Sequence, residues 1–436
     1  MNVILLSGGS GKRLWPLSND VRAKQFIKLF DNKNGEKESM VQRMYRGIRS
    51  VDNHANIVIA TNKKQIAEIQ NQIGDVHMSI EPCKKNTFPA ILLAACYMHE
   101  KLGVSENEAV LVCPVDSYLV DSYFSTVSNL FKLAEEKNNN LCLMGVAPTS
   151  PSEKYGYIIP KSKDYISEVI TFKEKPDKET AMEYIRRGAL WNSGVFAFKL
   201  KYLLKVGHEM IHFKDYEDLL SIYETLQDIS FDYAVVEKEK SIAVLKHLDK
   251  WDDLGTWDSL TAKMSSKVFG NAKLEEGCVD TNVINELNLP IICLGTKNLV
   301  VAASLDGILV TDKNKSDKIK NHVDDMIAPI RHAEKSWGNY SIVDVGEHST
   351  TMKIHIDAGK NMSYHSHEHR DEVWIIVSGK GQTIVDGLKQ TVNTGDIIAI
   401  AAGSRHTIIA ETDLELTETQ IGENIDVKDK KKFEIE

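Results

Sequence analysis

Residues 3–13 read VILLSGGSGKR, a short apolar run that is followed at once by a glycine-rich turn. The apolar run predicts a buried β-strand, and Gly8, Gly9 and Gly11 permit a tight turn whose backbone N–H groups converge on an anion such as a phosphate. The spacing excludes two other phosphate loops, because the P-loop requires glycine where Leu6 stands and the dinucleotide-binding loop requires it where Leu14 stands. The stretch therefore predicts a strand and a phosphate turn of a different kind.

Two basic residues follow this turn: Arg13 comes two positions after Gly11, and Lys24 comes eleven positions after Arg13. A guanidinium group can hold a triphosphate through paired hydrogen bonds, while a lysine neutralises a second phosphate. From these residues alone, a glycine turn beside solvated basic side chains explains the pattern equally well.

Composition restricts the class of protein. The 436 residues allow two or three domains, and a formal net charge of −9 argues against a general nucleic-acid binder. The sequence shows no leader pattern and no apolar run of membrane-spanning length, so we expect a cytoplasmic chain without nucleic-acid or membrane partners. Six cysteines without a CxxC pair favour reduced, buried thiols over disulfides.

Up to about Ala262, β-rich runs alternate with helical patterns. This alternation predicts an open, mostly parallel α/β sheet, which binds ligands at the carboxyl ends of its strands. Asp116 follows such a strand in CPVDS (113–117), where it could be a turn residue or an oxygen ligand for Mg²⁺ in phosphoryl chemistry. Strands are predicted at 57–60, 110–113 and 141–144, and helices at 90–100 and 123–137.

The continuation RLWPLS (13–18) makes the first segment similar to the signature of nucleoside-diphosphate-sugar pyrophosphorylases, in the branch of the mannose-1-phosphate guanylyltransferases. Further segments resemble motifs of this family and occur in the same order over about 250 residues. The departures from the family pattern are Lys12, Ala23, Val115 and Ser117. The further segments are EPCKKNTFPA (81–90), CPVDS (113–117), YGYI (155–158), FKEKP (172–176), WNSGVF (191–196), FDYAVVEK (231–238) and WDDLGTW (251–257).

The resemblance implies a Rossmann-like, GT-A-like mixed sheet and the transfer of a nucleotidyl group from an NTP to a sugar 1-phosphate. GTP and mannose 1-phosphate are the implied substrates. The expected assembly is a homo-oligomer, specifically a dimer. The resemblance implies that Arg13 and the turn of Gly8, Gly9 and Gly11 bind the triphosphate, and that Asn86 also binds the nucleotide. It implies that Lys24 and Lys175 contact the reacting phosphates and that Asp116 and Asp253 bind Mg²⁺. The residues implied in sugar binding are Gly156, Glu174, Asn192 and Gly194. Helix capping by Thr87 is the alternative explanation of the segment around Asn86.

A second candidate site lies in an all-β region after Trp337. His365 and His367 are two positions apart, so on a strand both side chains project to one face and can share an ion. With Glu372 and His406 they give three imidazoles and a carboxylate, a set that suits Zn²⁺, Fe²⁺, Mn²⁺ or Ni²⁺. A solvated histidine run is the alternative.

The spacing from Gly359 to Gly379 matches the first cupin motif, and HRDEVWIIVSG (369–379) resembles type II phosphomannose isomerases. This resemblance implies metal-dependent interconversion of mannose 6-phosphate and fructose 6-phosphate, with Arg370 in phosphate binding or proton transfer. His365 and Thr407 depart from the family pattern and leave the isomerase activity open. The alternative is a transferase for another NTP and sugar 1-phosphate, joined to a non-catalytic sensing or assembly module. We predict a pyrophosphorylase domain at 1–265, a β-rich connector at 266–328 and a cupin barrel at 329–436.

Overall fold

The structure, a computed structural model, describes residues 1–9, 12–118, 120–249, 251–323, 330–423, 425–426 and 429–434. The side chains of Lys12, Tyr118, Asp252 and Asp253 lie outside this description. Contacts divide the chain into two compact units, the first comprising Met1–Gly11 with Ala23–Ser265 and the second Lys12–Arg22 with Ser266–Glu436. Among the described residues, no helix has both the length and the apolar character needed to cross a membrane.

Within the described residues of the first unit, nine strands form a mixed sheet in the order β5-β4-β1-β6-β11-β8-β12-β10-β9. Short pairs, β2 with β3 and β7 with β13, lie outside it. The strands are β1 (Asn2–Leu6), β2 (Phe30–Asp31), β3 (Lys37–Glu38), β4 (Asn56–Asn62), β5 (His77–Glu81), β6 (Ala109–Pro114), β7 (Ser117–Tyr118), β8 (Leu141–Val146), β9 (Tyr157–Pro160), β10 (Ile166–Lys173), β11 (Leu190–Lys199), β12 (Ile242–His247) and β13 (Asp252–Asp253).

Strand directions correct one expectation. Strands β5, β4, β1 and β6 are parallel, but β11 runs antiparallel between β6 and β8, and β9 and β10 are also antiparallel to their neighbours. The mostly parallel sheet predicted from the alternation is therefore wrong, and the mixed sheet implied by the resemblance is confirmed. Because β11 is apolar along most of its length and buried on both faces, its pattern does not distinguish it from a central parallel strand.

Helices cover both faces of the sheet. Val3 and Leu5 of β1 face a core shared with α1 and α4, while Ile4 faces a second core shared with α3 and α6. The strand therefore alternates between two buried layers, as its continuous apolar run requires. The helices are α1 (Met40–Val51), α2 (Ile66–Ile73), α3 (Thr87–Leu102), α4 (Asp121–Glu136), α5 (Lys178–Arg186), α6 (Leu200–Met210), α7 (Tyr216–Ile222) and α8 (Trp257–Thr261), with 3₁₀ turns at Lys24–Phe26, Lys63–Gln65 and Tyr223–Thr225 and a π-helical turn at Asp232–Val236.

From Ser266 the second unit continues with a β-rich segment, the part of the chain that is predicted to be a connector. In its described part, β14, β16, β18 and β19 form one sheet and β15 pairs with β17. The elements are β14 (Val268–Phe269), β15 (Ala272–Leu274), β16 (Asn282–Asn285), β17 (Ile291–Cys293), β18 (Leu299–Ser304), β19 (Gly307–Asp312), a 3₁₀ turn (Lys313–Lys318) and α9 (Ile319–Val323).

The segment Lys12–Arg22 packs on this connector. The Arg22 guanidinium donates two hydrogen bonds, of 2.8 and 2.9 Å, to Glu286, and Asn19 Nδ2 donates one of 2.7 Å to Asp306. Gly307 has φ +150°, and a Cβ there would stand 2.4 Å from the Trp15 ring. These contacts explain why a segment from the start of the chain groups with the second unit.

Two antiparallel sheets of the barrel domain pack on a shared core. In the described residues their strand orders are β20-β21-β22-β29-β24-β27 and β26-β25-β28-β23-β30, and the core includes Trp374, Ile398 and Ile408. The predicted all-β barrel is confirmed. Its strands are β20 (His332–Lys335), β21 (Gly338–Val345), β22 (Ser349–Ile356), β23 (His365–Ser366), β24 (Asp371–Ser378), β25 (Lys380–Val385), β26 (Leu388–Asn393), β27 (Ile397–Ile400), β28 (His406–Ala410), β29 (Leu414–Ile421) and β30 (Lys431–Lys432).

Candidate functional site

A cleft of about 430 Å³ opens at the carboxyl ends of the parallel strands β1, β4, β5 and β6. Leu6, Ala60, Glu81 and Pro114, which end or nearly end these strands, all contribute to its wall. This is the edge where the sequence predicts ligand binding. The lining residues are Leu6, Gly8, Gly9, Gln25, Ala60, Glu81, Lys84, Asn86, Thr87, Ala90, Pro114, Asp116 and Asp228.

Three of the predicted nucleotide-binding residues line this cleft, namely Gly8, Gly9 and Asn86. Gly11 lies outside the described residues. Arg13 is exposed on the 3₁₀ turn Lys12–Leu14, which belongs to the second unit, and its role stays a prediction.

Asn86, and not Thr87, caps α3. Asn86 adopts a φ of +67°, and its Oδ1 accepts a hydrogen bond of 2.9 Å from the Thr87 amide. The Thr87 hydroxyl oxygen instead accepts from the Phe231 amide at 2.8 Å. The cap therefore holds Asn86 in a backbone conformation that few residue types adopt readily, at the wall of the cleft.

Asp116, at the wall of the cleft, forms an ion pair with Lys24. Lys24 is only 9% exposed, and its Nζ lies 2.9 Å from Asp116 Oδ2 and donates to the Leu254 carbonyl at 3.2 Å. A buried ammonium requires such partners because desolvation is costly. The structure thus brings two of the predicted catalytic residues together.

The backbone carries Asp253 to the same place. Strand β13 pairs with β7 so that Asp253 lies opposite Ser117, the neighbour of Asp116. The side chain of Asp253 lies outside the described part of the chain, so a shared metal ion between the two aspartates stays a prediction.

A second cleft of about 230 Å³ adjoins the first and shares Pro114 and Asp116 with it. The residues predicted to bind the sugar all line it, whereas Lys175 does not, and Asp116 stands where the two clefts meet. The lining residues are Pro114, Asp116, Ser117, Lys154, Tyr155, Gly156, Glu174, Asn192, Ser193, Gly194, Asp232 and Trp251.

Packing explains the glycine at position 156. A Cβ there would lie 2.5 Å from Glu174 Oε2 and 2.6 Å from the Phe172 ring. Glu174 is buried, and its backbone amide donates to Glu237 Oε1 at 2.8 Å. Lys175, at φ +45°, places its Nζ 2.9 Å from Glu174 Oε1. The predicted acid and base of FKEKP therefore form an ion pair beside the cleft.

Two carboxylates of these clefts were not predicted as site residues. Asp232 accepts a hydrogen bond of 2.7 Å from Asn192 Nδ2, and burial, followed by the charge of Glu174, raises its pKa to about 7. Burial also raises the pKa of Glu81 to about 7, although the Tyr223 hydroxyl donates to it at 2.8 Å. Both residues lie in quoted motifs, but their burial becomes visible only in the fold.

An Asp232→Asn variant is expected to change how stability depends on pH. The native pKa is raised above that of the unfolded chain, so the wild type loses stability as pH rises towards 7 and the buried carboxyl must ionise. Between pH 5 and 8 this loss is about 2 kcal/mol on an order-of-magnitude basis, and the amide removes it. Urea unfolding at both pH values measures the effect. Asp164→Asn, at an exposed aspartate, is the control, and equal pH slopes for wild type and Asp232→Asn would contradict the assignment.

In the barrel, His365, His367 and His406 form a buried cluster. One ring nitrogen from each lies within 4.8 Å of the others, and strand pairing places His365 directly opposite His406. Glu372 Oε1 is 3.2 Å from His367 Nε2, and its Oε2 is 3.3 Å from His406 Nε2. The structure therefore brings together all four predicted ligands.

Hydrogen bonds set the tautomer of each imidazole. His365 Nδ1 pairs with the Ser363 carbonyl at 2.5 Å, His406 Nδ1 with the Ser404 carbonyl at 2.9 Å, and His367 Nδ1 with the Asp429 carbonyl. Because a carbonyl only accepts, each Nδ1 carries a proton, so in the neutral ring Nε2 is the atom that has the lone pair. Burial lowers the pKa of His365 to about 3 and of His367 to about 4, so both are neutral at pH 7, as metal ligation requires.

The donor set fits a divalent transition metal. Nε2 of His406 is buried and makes no hydrogen bond to any described residue, which is costly unless an ion or a ligand uses its lone pair. Arg370, predicted for phosphate binding or proton transfer, is buried beside the set. Its Nε donates to Glu372 at 3.1 Å, its Nη2 to His367 Nε2 at 2.9 Å and its Nη1 to the Asp426 carbonyl at 3.1 Å.

Glu418 is a barrel residue that the sequence did not single out. Alternation along β29 turns Glu418 and Gln420 inwards, opposite Trp374 and Glu372 on β24. Gln420 Nε2 donates to Glu418 at 2.6 Å, and burial, followed by the charge of Glu372, raises the pKa of Glu418 to about 7. The signal in the sequence was the alternation LELTETQI (414–421), which places polar residues on the apolar face.

Comparisons with known proteins cover the whole chain. A model of the nucleotidyl transferase family matches residues 2–267, and one described as mannose-6-phosphate isomerase C-terminal matches residues 323–435. The xanthan biosynthesis protein XanB of Xanthomonas campestris pv. campestris (strain B100) is 30% identical over 472 residues, covering 99% of this chain and 97% of that protein.

Two further relatives agree with these matches. The mannose-1-phosphate guanylyltransferase of Escherichia coli (strain K12) is 28% identical over 478 residues, covering 99% of this chain and 97% of that protein. A crystal structure described as mannose-1-phosphate geranyltransferase from Thermus thermophilus superposes with a TM-score of 0.63 at 28% identity, covering 74% of this chain and 98% of that one.

Proposed function

Because the chain belongs to the nucleotidyl transferase family, we propose that its first unit transfers a guanylyl group from GTP to mannose 1-phosphate and releases pyrophosphate. The names of full-length relatives support this pair of substrates and the product GDP-mannose. The observation that carries the proposal is the position of Asp116, which lines both clefts and pairs with the buried Lys24.

The reaction requires alignment and charge neutralisation. A phosphate oxygen of mannose 1-phosphate forms a bond to the α-phosphorus of GTP, while the bond from that phosphorus to the oxygen bridging to the β-phosphate breaks and pyrophosphate leaves. Lys24 neutralises phosphate charge where the clefts meet, and the backbone amides of Gly8 and Gly9 contribute donors. The proposed role of Arg13 at the triphosphate is supported by the sequence alone.

Mg²⁺ is the proposed cofactor of the first unit. Asp116 would hold it together with Asp253, because carboxylate oxygens are the ligands that Mg²⁺ prefers beside substrate phosphates. The bound ion would supply further neutralisation of the phosphate charge. The 43% exposure of the Asp116 side chain leaves its carboxylate open to the clefts.

In the second cleft, buried polar groups are proposed to form hydrogen bonds with the sugar. Glu174, Asn192 and Asp232 offer acceptors and a donor for hydroxyl groups, and Lys175 would meet the sugar phosphate. Gly156 and Gly194 keep the wall free of side chains, and the close approach of Glu174 to Gly156 supports that role.

We propose the barrel as a second active site that interconverts mannose 6-phosphate and fructose 6-phosphate. His365, His367, His406 and Glu372 would hold a divalent metal such as Zn²⁺, which polarises substrate oxygens when bound. Glu418 would carry the proton between C2 and C1, since a carboxyl with a pKa near 7 can both accept and return it.

A Glu418→Gln variant is expected to isomerise mannose 6-phosphate about 10³-fold more slowly while it keeps its metal. The amide preserves the volume and the contact with Gln420 but cannot take up a proton. Isomerisation and deuterium uptake from D₂O measure the loss. Glu415→Gln, on the exposed face of the same strand, is the control. Wild-type turnover by Glu418→Gln would exclude Glu418 as the proton carrier.

The experiment that tests the whole proposal measures pyrophosphate release by the purified protein with Mg²⁺, over four NTPs and several sugar 1-phosphates. Isomerisation of mannose 6-phosphate is followed in parallel, with chelator and with added metal. Release with GTP and mannose 1-phosphate alone, plus metal-dependent isomerisation, is the expected result. Release with another pair would overturn the substrates, and release without isomerisation would leave the barrel as a binding module. Location in the cytoplasm and assembly as a homodimer stay predictions from the sequence.

A further inference from the structure

We propose that Asp429, close to the C-terminus, is a positioning residue for the metal ligand His367. The inference rests on the proposed metal site of the barrel and goes beyond it by making one of its ligands dependent on the end of the chain. Asp429 contacts His367 through its backbone, and through its side chain it contacts the two residues that follow His367.

The backbone contact sets the His367 ring. The Asp429 carbonyl accepts from His367 Nδ1, which directs Nε2 towards the cluster. His365 and His406 use carbonyls only two residues before themselves, at Ser363 and Ser404, so their rings are oriented by the residues that lead into their own strands. His367 instead pairs its Nδ1 with a carbonyl 62 residues away, so a substitution that is distant in the sequence can alter its orientation.

The side-chain contact holds that carbonyl in place. Asp429 Oδ1 accepts from the Glu368 amide and Oδ2 from the His369 amide, each at 3.0 Å. Glu368 and His369 directly follow the ligand, so one residue is tied both to the ring of His367 and to the turn that begins next to it. Removing the carboxylate leaves two backbone donors without their acceptor and frees the Asp429 carbonyl to move.

Other contacts anchor the segment without Asp429. Lys431 and Lys432 pair as a short strand with Ser366 and His365, and the Phe433 amide donates to the Tyr364 carbonyl at 2.9 Å. The Arg405 guanidinium lies 4.2 Å from the centre of the Phe433 ring. A substitution of Asp429 should therefore loosen the ligand while the barrel stays folded.

The test compares metal affinity of full-length Asp429→Ala, Asp429→Asn and wild type. Co²⁺ and Zn²⁺ binding are measured by competition with a chelator, and the Co²⁺ absorption spectrum reports the ligand geometry. Asp429→Ala is expected to bind about 10- to 100-fold more weakly, as for other residues that orient metal ligands, with an altered spectrum. Asp429→Asn keeps one acceptor oxygen and should fall between the two. Pyrophosphate release should be unchanged in all three.

Asp413→Ala is the matched control, because Asp413 also accepts a backbone hydrogen bond in the barrel, from Ala358 at 2.9 Å, away from the metal ligands. Wild-type affinity and spectrum in Asp429→Ala would overturn the inference, as would an equal loss in Asp413→Ala. If Asp429→Ala fails to fold, Asp429→Asn replaces it in the test, and wild-type metal affinity and spectrum in Asp429→Asn would overturn the inference. A wild type that binds metal without isomerising would overturn the proposed isomerase and leave this inference standing, whereas a wild type that binds neither metal would overturn both.

Discussion

An Asp116→Ala variant is expected to release pyrophosphate about 10³-fold more slowly than the wild type. The substitution removes the carboxylate from the point where the two clefts meet and leaves the buried Lys24 ammonium with the Leu254 carbonyl as a remaining neighbour. It also removes a proposed Mg²⁺ ligand, so both charge balance and alignment at the reacting phosphates are lost. Initial rates at saturating GTP, mannose 1-phosphate and Mg²⁺ measure the effect.

A matched control separates this loss from a general effect of deleting an ion pair. Asp121 pairs with Lys33 at 2.9 Å on the exposed surface of the same unit, and Asp121→Ala should keep wild-type turnover because exposed pairs contribute little. Isomerisation in the barrel should be unaffected by either change. Unchanged pyrophosphate release by Asp116→Ala would refute the assignment of Asp116 to the reaction.

Local sequence was sufficient to predict candidate site residues that lie on a strand or shortly after one. The apolar run before Gly8 predicts both a strand and the edge at which the cleft opens, and Asp116 marks the end of another strand at that edge. The spacing of His365 and His367 predicts that both side chains reach one ion, and both enter the cluster, although β23 itself ends at Ser366. In each case neighbouring residues carry the information.

Local sequence did not reveal the residues whose properties depend on burial or on partners that are distant in the chain. Asp232 and Glu418 look like ordinary acids in the sequence, and their raised pKa values arise from side chains that other strands bring close. Asp429 reaches His367 across 62 positions, a separation at which no periodicity operates. Strand direction was missed for a related reason, since hydrophobic pattern reports burial and not orientation.

The glycine-rich segment and the residues that follow it show another limit of reasoning from local sequence. Residues 3–9 and 12–22 are almost contiguous, and a motif treats them as one unit of function. Their contacts nevertheless group them in different compact units, because Arg22 and Asn19 find their partners on the connector. The motif therefore predicts that both segments serve one reaction, while tertiary contacts decide the compact unit to which each segment belongs.

A His406→Ala variant is expected to bind Zn²⁺ or Co²⁺ at least about 100-fold more weakly and to lose isomerisation, while pyrophosphate release stays at the wild-type rate. His406 is the proposed ligand whose buried Nε2 has no hydrogen-bond partner among the described residues, and Glu372 Oε2 lies 3.3 Å from it, so the substitution removes a nitrogen at the centre of the cluster. Two imidazoles and Glu372 would remain, which is one donor fewer than the proposed set.

Chelator competition and metal content after dialysis measure the loss, and His348→Ala, at an exposed histidine of the same domain, is the control. Wild-type metal affinity in His406→Ala would exclude the cluster as the metal site. Loss of metal together with unchanged isomerisation would instead show that isomerisation does not depend on the metal. The proton transfer would then be assigned to the protein's own residues, and Glu418 would be the first to test.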